Sequence, residues 1–204
     1  MSVKERRERE KEELRQGILD AARELFATEG YENVSMRKIA EKIDYSPTTI
    51  YLYFKDKDEL LRSVCEETFT KLVKKFEDIV ANTSDPIEQL RQVGRAYIGF
   101  GLDHPNHYKV TFMQAGRPGP MEDQKFDYHG SMGEKCFLQL RSIVEECVQQ
   151  RKIRAVDLDT TSQALWAVVH GITSLLISHP DFPWVDKDRL IDQVIDVMTE
   201  GLKA

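Results

Sequence analysis

The sequence predicts an all-α protein with a small N-terminal helix-turn-helix domain and a larger helical domain, about nine helices in total. Apolar residues recur with a period near 3.6 along most of the chain, and no alternating strand pattern of useful length is present. Gly and Pro residues fall between these periodic segments. With 204 residues, the chain accommodates a first domain at 1–55 and a second at 56–204.

The first predicted helix ends at Gly30, a residue that can adopt the left-handed conformation common after a helix. Its buried side is formed by Ile18, Ala21, Ala22, Leu25 and Phe26. Upstream, residues 4–15 alternate Lys or Arg with Glu, which allows ion pairs four residues apart. This segment either extends the helix into solvent or forms a frayed arm, and the pattern leaves both open.

Two short helices follow, each with a capping residue. Ser35 is the expected N-cap of the second helix, although Lys38 replaces the Glu of a full capping box. Asp44 and Tyr45 form the turn, Ser46 caps the third helix, and Pro47 stands at its first position.

The remaining segments predict a helical second domain. A long helix at 56–81 connects the two domains, and helices then follow near 86–103 and 108–115. The stretch 116–120 is the clearest loop. The last three helices are expected near 122–151, 158–178 and 186–203.

The third helix carries residues suited to DNA. A helix-turn-helix holds its second helix in the major groove, with N-terminal residues facing the base edges. Small or hydroxyl-bearing side chains allow close approach, and the tyrosines can reach phosphate or sugar. These candidates are Ser46, Pro47, Thr48, Thr49, Tyr51 and Tyr53. Lys57 opens the next helix, where a cation opposes the helix dipole and a phosphate would explain it.

Residues 30–64 closely resemble the DNA-binding domain of the tetracycline-repressor (TetR) family. The resemblance rests on order and spacing at Gly30-Tyr31, Ser35, Ile39-Ala40, Tyr51, Tyr53-Phe54, Lys57 and Leu60. It implies a cytosolic, all-helical homodimer that binds a DNA operator and a small-molecule effector. It also implies DNA contacts by Ser35, Arg37, Thr48, Thr49, Tyr51, Tyr53 and Lys57. The family usually has Gly-Val where this chain has Asp44-Tyr45.

Net charge tests this assignment. The whole chain carries −6, which favours the alternative of a helical protein-interaction module without sequence-specific DNA binding. Between Val34 and Lys57, however, five cations stand against three carboxylates, which gives 5 − 3 = +2. Together with the resemblance, this favours a ligand-responsive repressor that binds a palindromic operator.

An effector site is expected in the aromatic-rich middle of the chain. Trp166-x-x-x-His170-Gly171 resembles the signature of one C-terminal subgroup of the same family, and His170 either contacts the ligand or a neighbouring backbone group. The candidate ligand contacts are Tyr97, Phe100, Tyr108, Phe112, Met113, Phe137, Trp166 and His170.

The last two helices predict the dimer interface, because their apolar stripes are wider than a one-sided surface helix needs. The candidate interface residues are Leu165, Val169, Ile172, Leu176, Ile191, Val194, Ile195 and Met198.

Other functional classes have little support. No convincing nucleophile, carboxylate pair or metal constellation is visible, so no enzyme activity, cofactor or metal is expected. His104 and His107 flank Pro105 without a third ligand, and the three cysteines lack a CxxC pair. The charged N-terminus has no apolar signal region, so a cytoplasmic location is expected.

Overall fold

The computed structural model describes residues 2–113 and 129–203, and within these residues it contains nine α-helices and no strand. The all-α prediction is therefore confirmed. The helices are α1 (Val3–Glu29), α2 (Met36–Lys42), α3 (Pro47–Tyr51), α4 (Lys57–Asn82), α5 (Pro86–Asp103), α6 (Pro105–Tyr108), α7 (Met132–Gln149), α8 (Leu158–Ser178) and α9 (Lys187–Glu200). The predicted loop at 116–120 lies outside the described residues.

Two predictions about helix length have clear outcomes. The N-terminal charged segment belongs to α1, which begins at Val3 and opens with a capping box between Ser2 and Glu5. After α6, the chain continues as one π-helical turn at Lys109–Met113, which the sequence pattern did not indicate.

The chain divides into two compact units. Among the described residues, the first unit comprises 2–68 together with 106–113, and the second comprises 69–105 with 129–203. The predicted boundary at 55/56 precedes α4, whereas the division observed here falls inside that helix, between Thr68 and Phe69. A continuous helix can belong to two cores because its apolar stripe changes packing partners along its length.

The first unit has a core formed by α1 to α4. Ile18 and Phe26 of α1, Ile39 of α2 and Ile50 of α3 are fully buried in it. Val110, from the π-helical turn, is also fully buried in this cluster. The segment after α5 therefore returns to the first unit.

The turn between α2 and α3 depends on a backbone conformation that few residues adopt. Asp44 has φ = 58°, in the left-handed region, and the amide of Tyr45 donates to the carbonyl of Ala40 at 3.0 Å. Asp and Asn enter this region more readily than other side chains, apart from glycine, because a short polar group can bond locally. The chain thus keeps the turn without the family's usual Gly.

Replacing Asp44 should test this conformation. We expect Asp44→Ala to lower the free energy of unfolding by about 1 kcal/mol, because alanine lacks the local polar group that makes positive φ tolerable. Asp44→Asn should stay close to the unsubstituted protein. Urea denaturation of both variants checks the expectation, and equal stability of the alanine and asparagine variants would contradict it.

The second unit is built around α5, which packs against α7, α8 and α9. Gly94 allows α5 to approach α9 closely, since a Cβ there would lie 2.7 Å from Cδ1 of Ile195. Two arginines of α5 reinforce the contact: Arg91 pairs with Asp196, and Arg95 pairs with two carboxylates that lie one and two helical turns earlier on α9.

Candidate DNA interface and effector site

The local sequence folds α2 and α3 as the caps predicted. The hydroxyl of Ser35 accepts from the amide of Lys38, and that of Ser46 accepts from the amide of Thr49, both at 3.2 Å. Pro47 occupies the first turn of α3, where its missing N–H leaves no bond unmade. Ile50 then anchors α3 to the core and sets which of its sides is exposed.

The predicted DNA contacts all retain some exposure. Pro47, Thr49, Tyr53 and Lys57 are half-buried, whereas the following are exposed: Ser35, Arg37, Ser46, Thr48 and Tyr51. Tyr51 has 54% of its surface accessible. The side chain of Arg37 currently pairs with Glu41 at 2.8 Å, so contact with a phosphate would exchange one anion for another.

Three further residues share this surface and were not predicted as contacts. Tyr45 and Leu52 are large exposed side chains at the two ends of α3, and Leu52 is 78% accessible. Lys55 is an exposed cation just after them. Lys55 could have been predicted as a contact from the excess of positive charge at 34–57. Leu52 could not, because nothing in the sequence indicates that an apolar residue is exposed.

Lys57 has a structural role that its sequence position did not suggest. Its Nζ donates to the carbonyls of Tyr31 and Val34, both at 2.9 Å, and lies 4.0 Å from the centre of the Tyr31 ring. The phenol of Tyr31 donates to Asp58, and burial raises the pKa of this phenol above its ordinary value. The start of α4 is thereby tied to the segment between α1 and α2.

Removing the Lys57 ammonium should therefore destabilise the first unit. We expect Lys57→Met to lower the free energy of unfolding by about 2 kcal/mol, because two carbonyls lose a charged donor while the apolar part of the side chain is retained. Lys55→Met removes a nearby exposed cation and should change the stability by less than about 0.5 kcal/mol. Urea titrations compare the two, and an unaffected Lys57 variant would argue that these hydrogen bonds contribute nothing.

In the second unit, three predicted ligand contacts form one polar cluster. Trp166 Nε1 donates to the hydroxyl of Tyr97 at 3.2 Å, and the same hydroxyl lies 3.2 Å from Nδ1 of His170. Nε2 of His170 is 3.3 Å from the Ser174 hydroxyl. Burial lowers the pKa of His170 below its ordinary value, so the ring is neutral near pH 7. A ring protonated on Nε2 would satisfy both contacts.

The other predicted ligand contacts divide between the two units. The rings of Phe137 and Trp166 meet in an edge-to-face arrangement with centroids 6.5 Å apart, and Phe100 is buried in α5. The remaining candidates belong to the first unit, where the rings of the first two have centroids 4.9 Å apart and planes tilted by 45°: Tyr108, Phe112 and Met113. The structure thus brings together Tyr97, Phe137, Trp166 and His170, whereas Tyr108, Phe112 and Met113 lie in the first unit.

The predicted interface residues lie mostly inside the second unit. Val194 and Met198 are half-buried, whereas six are buried within the chain itself: Leu165, Val169, Ile172, Leu176, Ile191 and Ile195. The exposed apolar side chains of α8 and α9 are instead Trp166, Val168, Leu175 and Val197. The wide stripes seen in the sequence therefore combine a core face with an exposed face.

In 2–113 and 129–203, no three His, Cys, Asp or Glu side chains are grouped so that they could hold a metal ion. Over the same residues, no helix combines the length and apolar character needed to cross a membrane.

Comparison with known proteins identifies both halves of the chain. The family described as bacterial regulatory proteins, tetR family, matches residues 18–64. The family described as tetracyclin repressor-like, C-terminal domain, matches residues 90–198. The second match alone spans more than half of the chain.

Individual relatives agree with these matches. The fatty acid metabolism regulator protein of Bacillus subtilis (strain 168) is 32% identical over 190 residues, which cover 91% of this chain and 93% of that protein. An HTH-type transcriptional regulator of Haemophilus influenzae is 35% identical, but the match spans 47% of this chain and 51% of that protein.

Solved structures share the fold. The fatty acid degradation regulator FadR of Bacillus halodurans superimposes with a TM-score of 0.80 at 20% identity, covering 92% of this chain and 95% of that one. FadR of Bacillus subtilis, solved in complex with stearoyl-CoA, has a TM-score of 0.78 at 21% identity, covering 91% and 98%. With helix-turn-helix, helical second unit and both family matches in agreement, this chain belongs to the tetR family of DNA-binding, ligand-responsive bacterial transcriptional regulators.

Proposed function

We propose that this regulator is a homodimeric repressor whose effector is a long-chain fatty acyl compound, most directly an acyl-CoA thioester. The observation that carries the effector class is the match over nine-tenths of the chain to a fatty acid metabolism regulator. The fold neighbour solved with stearoyl-CoA supports the same class. The effector would release the operator, so that genes repressed in its absence become transcribed.

The DNA part of the proposal rests on the exposed surface of α3. Tyr51, Thr48 and the Ser46 hydroxyl would face the major groove, while Arg37 would contact phosphate. Selection of bound sequences from a random DNA pool with the purified protein should recover an inverted repeat. Tyr51→Ala should weaken binding to the recovered duplex without unfolding the protein, because Tyr51 is exposed and α3 is anchored by Ile50.

The effector part rests on the aromatic cluster of the second unit. An acyl chain suits apolar and aromatic walls, and a partly buried polar cluster supplies the orienting contacts that such sites use. The Tyr97, Trp166 and His170 side chains would provide these contacts in our proposal. Their arrangement also supports assigning the chain to the subgroup with the Trp-x-x-x-His-Gly signature.

Titration calorimetry with stearoyl-CoA, coenzyme A and stearate tests the effector class. Binding of stearoyl-CoA alone supports the thioester, and binding of stearate alone would replace it with a fatty acid. Tyr97→Phe should weaken binding because it removes the hydroxyl that joins Trp166 to His170. Tyr45→Phe removes an exposed hydroxyl in the other unit and serves as the matched control for ligand binding.

Effector and operator should be coupled. A ligand shifts DNA affinity only if it binds the two conformations differently, and such coupling typically changes affinity by about 5- to 150-fold. The continuous helix α4, with residues in both units, is the element we propose to transmit it. We expect stearoyl-CoA to weaken operator binding, and operator to weaken stearoyl-CoA binding by the same factor. Tight stearoyl-CoA binding without any change in operator affinity would refute the coupling while leaving DNA recognition intact.

The dimer would form through the exposed apolar side chains of α8 and α9. Val168 and Leu175 lie seven residues apart on α8, hence on one face, and Val197 is 64% accessible on α9. An antiparallel pair of helices from each copy would bury these faces in a four-helix bundle. The half-buried residues Val194 and Met198 can join this face, whereas the buried residues of the predicted set stabilise the protomer.

A further inference from the structure

The first turns of α1 project beyond the core of the first unit as an exposed helical arm. Residues 3–13 are all exposed, and the first buried residue of α1 is Ile18. At 1.5 Å per residue the exposed part is about 16 Å long. Its six cations and five carboxylates between residues 3 and 15 are not evenly distributed around the helix.

Four cations of this arm form a stripe. Lys4, Arg7, Lys11 and Arg15 are spaced by three or four residues, which places them within roughly 80° around the helix axis at 100° per residue. Over the part of the chain that the structure describes, none of the four has a carboxylate partner within ion-pairing distance.

The other charges of the arm are arranged differently. Arg6 pairs with Glu10 at 3.3 Å and Arg9 with Glu13 at 3.2 Å, on the opposite side of the helix. Glu5 accepts from the amide of Ser2 at the helix start. Ion pairs therefore neutralise the outer side of the arm, whereas the cations of the stripe are not ion-paired among the described residues and have Glu8 and Glu12 beside them on the helix.

The stripe continues the side of α1 that is buried in the core of the first unit. Ile18 and Ala22 lie on this side and are buried in the core that also contains Ile50 of α3. Arg15, the last member of the stripe, places its guanidinium 5.3 Å from the ring centre of Phe54, shortly after α3 ends. Leu14 is the last of the described residues toward the N-terminus that packs on this core, so Lys4, Arg7 and Lys11 extend the same side of α1 beyond it.

We propose that Lys4, Arg7 and Lys11 bind the phosphate backbone of DNA flanking the base pairs that α3 reads. The inference rests on the proposed role of α3 as the recognition helix. An arm of about 16 Å spans about five base pairs at 3.4 Å each. The ammonium and guanidinium groups of the stripe can bind phosphates. Because phosphates carry no sequence information, the arm would add affinity and fix the register without base specificity.

A pair of charge-matched variants tests the arm. Arg7→Gln/Lys11→Gln removes two cations from the stripe, and Arg6→Gln/Arg9→Gln removes two from the opposite side; glutamine preserves helix propensity. Both are compared with the unsubstituted protein on two duplexes. One is the core operator recovered by selection, and the other is the same sequence extended by ten base pairs on each side.

The stripe variant should bind the extended duplex about tenfold more weakly. The plot of log K against the logarithm of the salt concentration should become shallower, with the magnitude of its slope smaller by about 2. The control variant should keep both values, and on the core duplex the two variants should differ little. Equal behaviour of the two variants on the extended duplex would overturn the proposal. If the stripe variant instead became monomeric, the stripe would contact the arm of a second copy of the chain. This result would also overturn the proposal.

Failure of the proposed function looks different. If the unsubstituted protein shows no salt-dependent preference for any selected duplex, α3 is not a recognition helix. If that preference exists and Tyr51→Ala abolishes it while the stripe variant behaves as the unsubstituted protein, α3 retains its role and only the arm is refuted.

Discussion

Replacing Val168 and Leu175 with glutamate should produce monomers and lower operator affinity about a thousandfold, the lower end of the gap between specific and non-specific binding. In a two-fold symmetric interface each substitution occurs twice, once in each protomer. Four carboxylates would therefore be buried where the unsubstituted protein has apolar side chains. A monomer presents one recognition helix and cannot occupy two half-sites. Sedimentation velocity measures the mass, and fluorescence anisotropy with the selected duplex measures the affinity.

The control for this experiment introduces the same chemistry elsewhere. Val80 on α4 and Leu138 on α7 are exposed to a similar extent as the residues of α8. Val80→Glu/Leu138→Glu should therefore remain dimeric and bind the operator normally. A Val168/Leu175 variant that sediments as the unsubstituted protein would place the interface on another surface.

Removing Glu67 should destabilise the first unit by about 3 kcal/mol. Arg23 is almost fully buried in α1, and its guanidinium pairs with Glu67 of α4 and, at 2.6 Å, with Asp20. Its Nε has no hydrogen-bond partner among the described residues. Glu67→Ala leaves the arginine with the exposed carboxylate of Asp20 alone, and an uncompensated buried charge typically costs about 3–5 kcal/mol.

The double substitution Arg23→Met/Glu67→Leu distinguishes charge from shape. Removing both charges eliminates the desolvation cost, so this variant should recover to within about 1 kcal/mol of the unsubstituted protein. Arg62→Ala removes an exposed charge from the same helix and should have almost no effect. Urea denaturation followed by circular dichroism gives the three values. A double variant less stable than Glu67→Ala would show that the pair itself holds α1 to α4.

The candidate DNA surface was largely predictable because its signals are local. Ser35 and Ser46 cap helices through bonds to residues three positions away, and Pro47 acts within one turn. The spacing of tyrosines after them matched a family pattern that fixes residue identities. Lys57 was assigned to DNA on the same local grounds, but its bonds to Tyr31 and Val34 join residues more than twenty positions apart.

The candidate effector site and the candidate dimer face were less predictable because both depend on which side of a helix is covered. Leu165 and Val168 are equally apolar in the sequence, yet Leu165 is buried against the chain's own helices and Val168 is exposed. Tyr97 and Phe112 are both aromatic residues in the same region of the sequence. Tyr97 contacts His170 in the second unit, and Phe112 contacts the Tyr108 ring in the first.

By itself, the sequence determined the helical class, the caps of α2 and α3 and the position of α3 in the chain. Each of these follows from periodicity or from bonds within a few residues. Only the tertiary structure decided that Lys57 holds the turn after α1, that the chain after α5 returns to the first unit through Val110, and that Val168 lies outside the core. These facts depend on contacts between distant segments, where many pairings satisfy the same apolar pattern and close packing selects one.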